Sequence, residues 1–301
     1  MKTRAIVTVA GWEDRFILSS MDLLESRKPE CFLLYYYAEF EQITRPQREE
    51  VRGACGREGV VFRDVQLRYG DPVFTWKRIT SSLTGLDVQG RGVLLNITTM
   101  PREAIWTALW MLQQLGARVT YVYYEAQGYN SEWLTRDPGM PRLVLKMSGS
   151  MMFGAETVLL VVTGYDTERV EQLRGSYEPT VTLLGVQESS ETDLKRNKYP
   201  HLQQFGTSPG VKLFGVDAFS ADHGQQAIQK QLAPYLGRSN IVMTSAGPKL
   251  SAIALYKLHC LFPETALAYT PSGEINREYS RGIGKPYSGD LVTSDSGPVS
   301  G

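Results

Sequence analysis

The chain has 301 residues, with Lys+Arg 32 against Asp+Glu 32, so no global basic field exists to hold duplex nucleic acid. Hydrophobic residues at 42% and charged residues at 21% are globular proportions, which excludes wholesale disorder. Three dispersed cysteines and three histidines leave no disulfide framework and no metal centre, and no run approaches the roughly 20 apolar residues of a membrane span.

In chain order, the first apolar run is Ala5–Ala10, stopped by Gly11-Trp12-Glu13-Asp14-Arg15. It is too short for a signal peptide, so the expectation is a cytoplasmic protein away from membranes. A helical stretch follows, then a strand within Glu30–Phe40, a third at Val60–Leu67 leading to Asp71, and a fourth at Gly92–Ile97. The turn Thr98-Thr99-Met100-Pro101-Arg102 opens a helix over Glu103–Leu115, and a fifth strand covers Ala117–Tyr124.

The same succession returns about 150 residues later. Strands are predicted at Thr157–Val162, Glu178–Glu188, Val211–Phe219, Asn240–Met243 and Thr265–Tyr269. The first again ends at a glycine, an aromatic and an acid, here Gly164-Tyr165-Asp166. The fourth again leads through hydroxyls and a proline to a cation, Thr244-Ser245-Ala246-Gly247-Pro248-Lys249, before the helix Leu250–Leu261. Strands alternating with helices specify βαβ units and parallel sheets. Nearly continuous apolar strands such as Val93–Ile97 fit sheets covered on both faces. The fold class read from this is α/β, two tandem Rossmann-like halves arising by internal duplication and forming a pseudo-dimer. The first half is placed at 1–137 and the second at 157–284. A connector covers 138–156, with an edge strand within Arg142–Met147, and a disordered Gly/Ser/Pro-rich tail covers 285–301.

Ligands of open parallel sheets bind beyond the carboxyl ends of the strands, where strand order reverses. The turns after strands one and four wall that crevice, and they carry the repeated polar signature. A helix N-terminus with unpaired N–H groups favours an anion. Thr98, Thr99, Thr244 and Ser245 add hydroxyls, Arg102 a bidentate grip, Lys249 a point charge, and Gly247 close backbone approach. Trp12 and Tyr165 are placed to stack on bases; packing beneath a loop is the alternative for each. Glu13, Asp14 and Asp166 would repel phosphate unless paired with Arg15 or Arg169. No Walker loop and no G-x-G-x-x-G after a first strand is present, so no cofactor is implied. Gly282-Ile283-Gly284 reads as a turn. His223 is a candidate general base in a loop, and no nucleophile elbow exists.

The segments Leu94–Arg102 and Gly116–Val122, with Ile241–Lys249 in the second half, resemble the CRISPR-associated Rossmann-fold (CARF) and related SAVED sensors. That resemblance implies a nucleotide or cyclic oligonucleotide ligand held across two related units by the turns after strands one and four. It also implies a role in prokaryotic antiviral defence. Met100 and Pro101 depart from the usual glycine-rich turn. No effector domain is recognisable, so a sensor would act through a protein partner. Two alternatives are carried: a phosphodiesterase cleaving the bound ligand with Lys249 and Ser245, and a structural subunit of a larger assembly, which an exposed Trp106 or Trp110 would favour.

Overall fold

The computed structural model describes residues 3–291. The chain divides into two compact units, one of residues up to Leu134 together with those from Asn276, the other Thr135–Ile275. The first holds β1 (Thr3–Val9), α1 (Asp14–Arg27), β2 (Cys31–Tyr37), α2 (Glu41–Arg57), β3 (Val61–Leu67), α3 (Pro72–Thr84), β4 (Gly92–Asn96), α4 (Arg102–Gln114) and β5 (Arg118–Tyr129). The second holds β6 (Thr135–Pro138), β7 (Arg142–Leu143), β8 (Thr157–Val162), α5 (Glu168–Tyr177) and β9 (Val181–Gln187). It continues through α6 (Glu191–Asp193), a π-helical turn at Leu194–Lys198, α7 (Tyr199–Phe205), β10 (Val211–Val216), α8 (Gln225–Leu232), β11 (Asn240–Ser245), α9 (Leu250–Leu261), β12 (Ala266–Tyr269) and β13 (Ser272–Ile275). The chain then re-enters the first unit as β14 (Ser280–Leu291).

Each unit is built on a six-stranded sheet, β14-β5-β4-β1-β2-β3 in one and β10-β9-β8-β11-β12-β7 in the other. All neighbours are parallel except the last edge pairs, β14 with β5 and β7 with β12. Read from its own first strand, each sheet has the Rossmann-like parallel order 3-2-1-4-5 with one antiparallel edge strand added. The central strands are buried along most of their length, as at Ala5–Val9 and Val158–Val162, because helices cover both faces. On one face of the first sheet Phe16, Leu23, Phe32, Leu34, Val51 and Cys55 form a core. In the second, Leu159, Val161, Val170, Leu173 and Leu184 do the same. Trp106 is fully buried on α4, and Trp110 packs against Trp76 at 6.1 Å.

Three sequence expectations are corrected. The first unit is not a contiguous 1–137, because the strand β14 comes back to its edge. The tail read as disordered from Lys285 is ordered through Leu291, pairing with β5 from Ser280↔Tyr129 to Leu291↔Val119. The remainder, 292–301, lies outside the described residues. The Gly282-Ile283-Gly284 turn is instead part of this strand. Its glycines suit close approach: a Cβ on Gly289 would collide with the Tyr121 hydroxyl. Pro286 sits on an edge strand at a register shift, where a missing N–H is tolerated. The expected connector 138–156 also carries structure. Arg142–Leu143 is β7 on the sheet edge, and Val144 and Met147 continue the contact with Leu267.

Candidate functional site

In each unit the loops after the first and fourth strands lie side by side at the carboxyl ends of adjacent strands, where open parallel sheets bind ligands. In the first unit these loops touch directly. A Cβ on Gly11 would stand 2.9 Å from the Thr99 side chain, and Thr99 Oγ1 donates to the Val9 carbonyl at 2.7 Å. Thr98 is fully buried; its Oγ1 donates to Asn96 Oδ1 at 2.6 Å and accepts from the Tyr124 N–H at 3.1 Å. Both hydroxyls hold the loop in this structure.

Beside them is a buried polar cluster. Arg15 pairs with Glu13 at 2.7 Å, and both side chains are almost fully buried. Arg15 also donates to the Tyr124 carbonyl at 3.3 Å and lies 5.7 Å from the centre of the Tyr129 ring. Ser280 Oγ donates to Glu13, and the Gly282 N–H donates to Asp14 Oδ2 at 2.9 Å. Burial pushes the Tyr129 and Tyr279 phenols up, so both stay protonated. The start of β14 thus engages both acids of the first loop. Trp12 is half-buried and meets Phe40 edge-on at 5.4 Å. Phe40 in turn meets Tyr37 and Tyr69, so Trp12 belongs to an aromatic cluster. Arg102 opens α4 and is half-buried.

The second unit repeats the loop contact more tightly. A Cβ on Gly164 would collide with the Ala246 carbonyl, and one on Gly247 would come 2.5 Å from the Thr163 carbonyl. The Ala246 and Gly247 N–H groups both donate to the Val162 carbonyl, at 2.8 and 3.1 Å. Gly247 therefore serves backbone approach between two loops of the chain itself. Thr244 is buried. Ser251 Oγ lies 2.7 Å from the Pro248 carbonyl and 2.7 Å from Ser245 Oγ, so the two hydroxyls share a hydrogen bond. Lys249 is the half-buried residue preceding α9. Tyr165 is half-buried, with its hydroxyl on Asp193 Oδ1 at 3.2 Å. Asp166 lies 3.8 Å from Arg169, which donates to Ser272 Oγ at 2.9 Å.

Residues missed by sequence reasoning govern this loop. Asn197, fully buried on the π-helical turn, accepts from Thr163 Oγ1 at 2.9 Å and from the Gln187 N–H at 2.9 Å. Its Nδ2 donates to the Thr163 and Gly164 carbonyls. The neighbouring Arg196 lies over the Tyr165 ring, 4.4 Å from its centre. Gln187, at the end of β9, accepts from the Ala218 N–H, while its Nε2 is buried with no partner. The basic run Lys195-Arg196-Asn197-Lys198 was visible in the sequence, but a charge run does not reveal a π turn.

The acid–base inventory is quiet. Burial lowers His201, His223 and His259, and each Nδ1 lies within 3.0 Å of a backbone carbonyl. His223 is thus a buried, carbonyl-bound histidine rather than an exposed loop base. Burial pushes Cys31 and Cys260 up, and Cys55 up to about 11, so no thiol is activated. Among the described residues no group of three His, Cys, Asp or Glu is placed to hold a metal ion. No helix among them is long and apolar enough to cross a membrane.

The parallel sheets with their crevices at the strand ends can be set beside known folds. The chain is similar in fold to a type III CRISPR defence DNA nuclease activated by cyclic oligoadenylate. The two share 9% identity at a TM-score of 0.52, over 84% of this chain and 63% of that one. Can2 from Sulfobacillus thermosulfidooxidans, in complex with cyclic tetra-adenylate, aligns at a TM-score of 0.31 and 14% identity, over 39% of this chain and 31% of that one. A short-chain dehydrogenase from Oenococcus oeni aligns at 0.26 with 11% identity, over 88% of this chain and 96% of that one. This chain thus spans less than two thirds of the length of the first two. No protein-family model matches, and no curated protein matches in sequence.

Proposed function

We propose that this protein binds a nucleotide or cyclic oligonucleotide through the carboxyl-end loops of its Rossmann-like units, as a sensor in a prokaryotic defence system that signals to a partner chain. The observation that carries this reading is a pairing present in both units. Each crevice keeps one aromatic and one cation half-exposed: Trp12 with Arg102, and Tyr165 with Lys249. An aromatic face and a cation at a helix start are the chemistry a base and a phosphate require. The shared strand order supports an origin by internal duplication. The fold shared with a nuclease activated by cyclic oligoadenylate supports the choice of ligand class. Cleavage of the ligand is the alternative reading, in which Ser245, hydrogen-bonded to Ser251, and Lys249 would act on it.

The test is thermal melting of the full chain with mononucleotides, dinucleotides and cyclic oligonucleotides. A ligand at about 100 times its Kd adds about 2.7 kcal/mol of stability and raises the midpoint. The shift from one class is expected to shrink in Lys249→Ala. No shift with any class would overturn the reading and leave a structural subunit.

A further inference from the structure

Among the cations at the crevice mouths, Arg196 is held unlike the others. Its guanidinium stacks on Tyr165, and it forms no ion pair among the described residues. Its neighbours on the same turn are neutralised, Lys195 by Glu191 at 2.5 Å and Lys198 by Glu188 at 2.8 Å. The turn itself is pinned to the loop after β8 by the buried Asn197, and that loop packs against Ala246 and Gly247. Tyr165 is held from its other end by Asp193. A π-helical turn inside a helical segment is costly, and such turns cluster at functional sites. Here it sets one planar cation, in no ion pair among the described residues, on the aromatic ring of the loop after β8. The first unit has no counterpart: α2 fills the corresponding connection, and its buried Arg48 stacks on Tyr36 and faces Glu41 and Asp64.

We infer that Arg196 is the anion-gripping residue of the second unit, with Tyr165 as the platform that orients it. The inference rests on the nucleotide-binding reading for its ligand and names the phosphate contact of that site. A guanidinium stacked on a ring keeps its N–H fork free for two phosphate oxygens, and the stack removes the rotamer entropy that a free arginine loses on binding. Lys249, across the Gly164–Ala246 contact, adds the second charge.

The experiment follows the Arg Nε–H signals of the full chain by NMR, and affinity by calorimetry, with inorganic pyrophosphate, AMP and cyclic tetra-adenylate as probes. The Arg196 signal is expected to move with pyrophosphate and with any nucleotide that binds. Arg196→Ala should weaken binding about tenfold or more and lower the salt dependence by about one ion. Arg196→Lys should fall between, since it keeps charge but loses the fork. Tyr165→Phe should bind as the parent does, and Tyr165→Ala should bind as weakly as Arg196→Ala with its melting midpoint retained. Movement of Arg196 by pyrophosphate with no nucleotide bound sustains the grip and overturns the nucleotide reading. Nucleotide binding that Arg196→Ala leaves within twofold overturns the grip and leaves that reading standing. An Arg196 signal that no probe moves also overturns the grip.

Discussion

Arg15 and Glu13 are buried as a pair at the start of α1, with side chains 2% and 7% exposed. A buried pair of this kind costs desolvation that its attraction and hydrogen bonds only just offset, so removing one partner is worse than removing both. Arg15→Met is expected to destabilise the first unit by about 3–5 kcal/mol, because the buried Glu13 loses its cation and keeps only neutral partners such as Ser280 among the described residues. Glu13→Gln combined with Arg15→Met is expected to recover a substantial part. Urea unfolding of both single variants and the double variant checks this, and a double-variant loss equal to the sum of the two single losses would show that the pair is not coupled. At this scale the sequence exposed the acids and arginines as a motif. It did not expose which hydroxyls were free. Thr98, Thr99 and Ser245 have the residue types of a phosphate loop, yet their partners are Asn96, Val9 and Ser251. Of those partners only Val9 needs adjacent strands to pair; Asn96 lies two residues from Thr98 and Ser251 six from Ser245.

The strand elements were legible because buried parallel strands are short unbroken apolar runs between glycines and acids. The strand β14 was not, because it is an edge strand whose contribution comes from its backbone. Its residues alternate between half-buried and exposed, with few large apolar side chains. Such a segment has the composition of a disordered tail, and the ladder to β5 alone distinguishes it. A chain ending at Tyr279 is expected to expose the Tyr121 to Tyr124 edge and to lose amide protection in β5 and β4. Protection in β8, β9 and β11 should persist. Hydrogen exchange read by mass spectrometry measures this, and unchanged protection of β5 would show that the strand is dispensable. The π-helical turn between β9 and β10 was equally hidden. Nothing in Leu194–Lys198 departs from ordinary helix composition, and the turn is stabilised by what Asn197 reaches.

At the scale of the molecule, all three histidines lie in the second unit and are buried. Burial holds each below its ordinary value of 6.5. The unfolded chain therefore takes up protons that the folded unit refuses, and stability rises with pH across that window. It is complete above about 6.5 and is lost as pH falls from there toward the folded values. Urea midpoints at pH 7.5 and 5.5 are expected to differ, with the second unit weaker at 5.5. His201→Gln should reduce the difference, and an identical pH dependence in that variant would overturn the assignment.

The order of elements, the α/β class and the places where loops meet strand ends were determined by the sequence itself. Apolar periodicity, glycines and helix-start residues act over a few neighbours, and that local physics is written in the chain. Only the tertiary structure decided which polar atoms were already satisfied, which basic residue stood unpaired, and that residues 280–291 return to the first unit. The long-range ones depend on groups tens to hundreds of residues apart coming within hydrogen-bond distance. Ser280 on Glu13 and Asn197 on Thr163 are such meetings, and no local pattern encodes them.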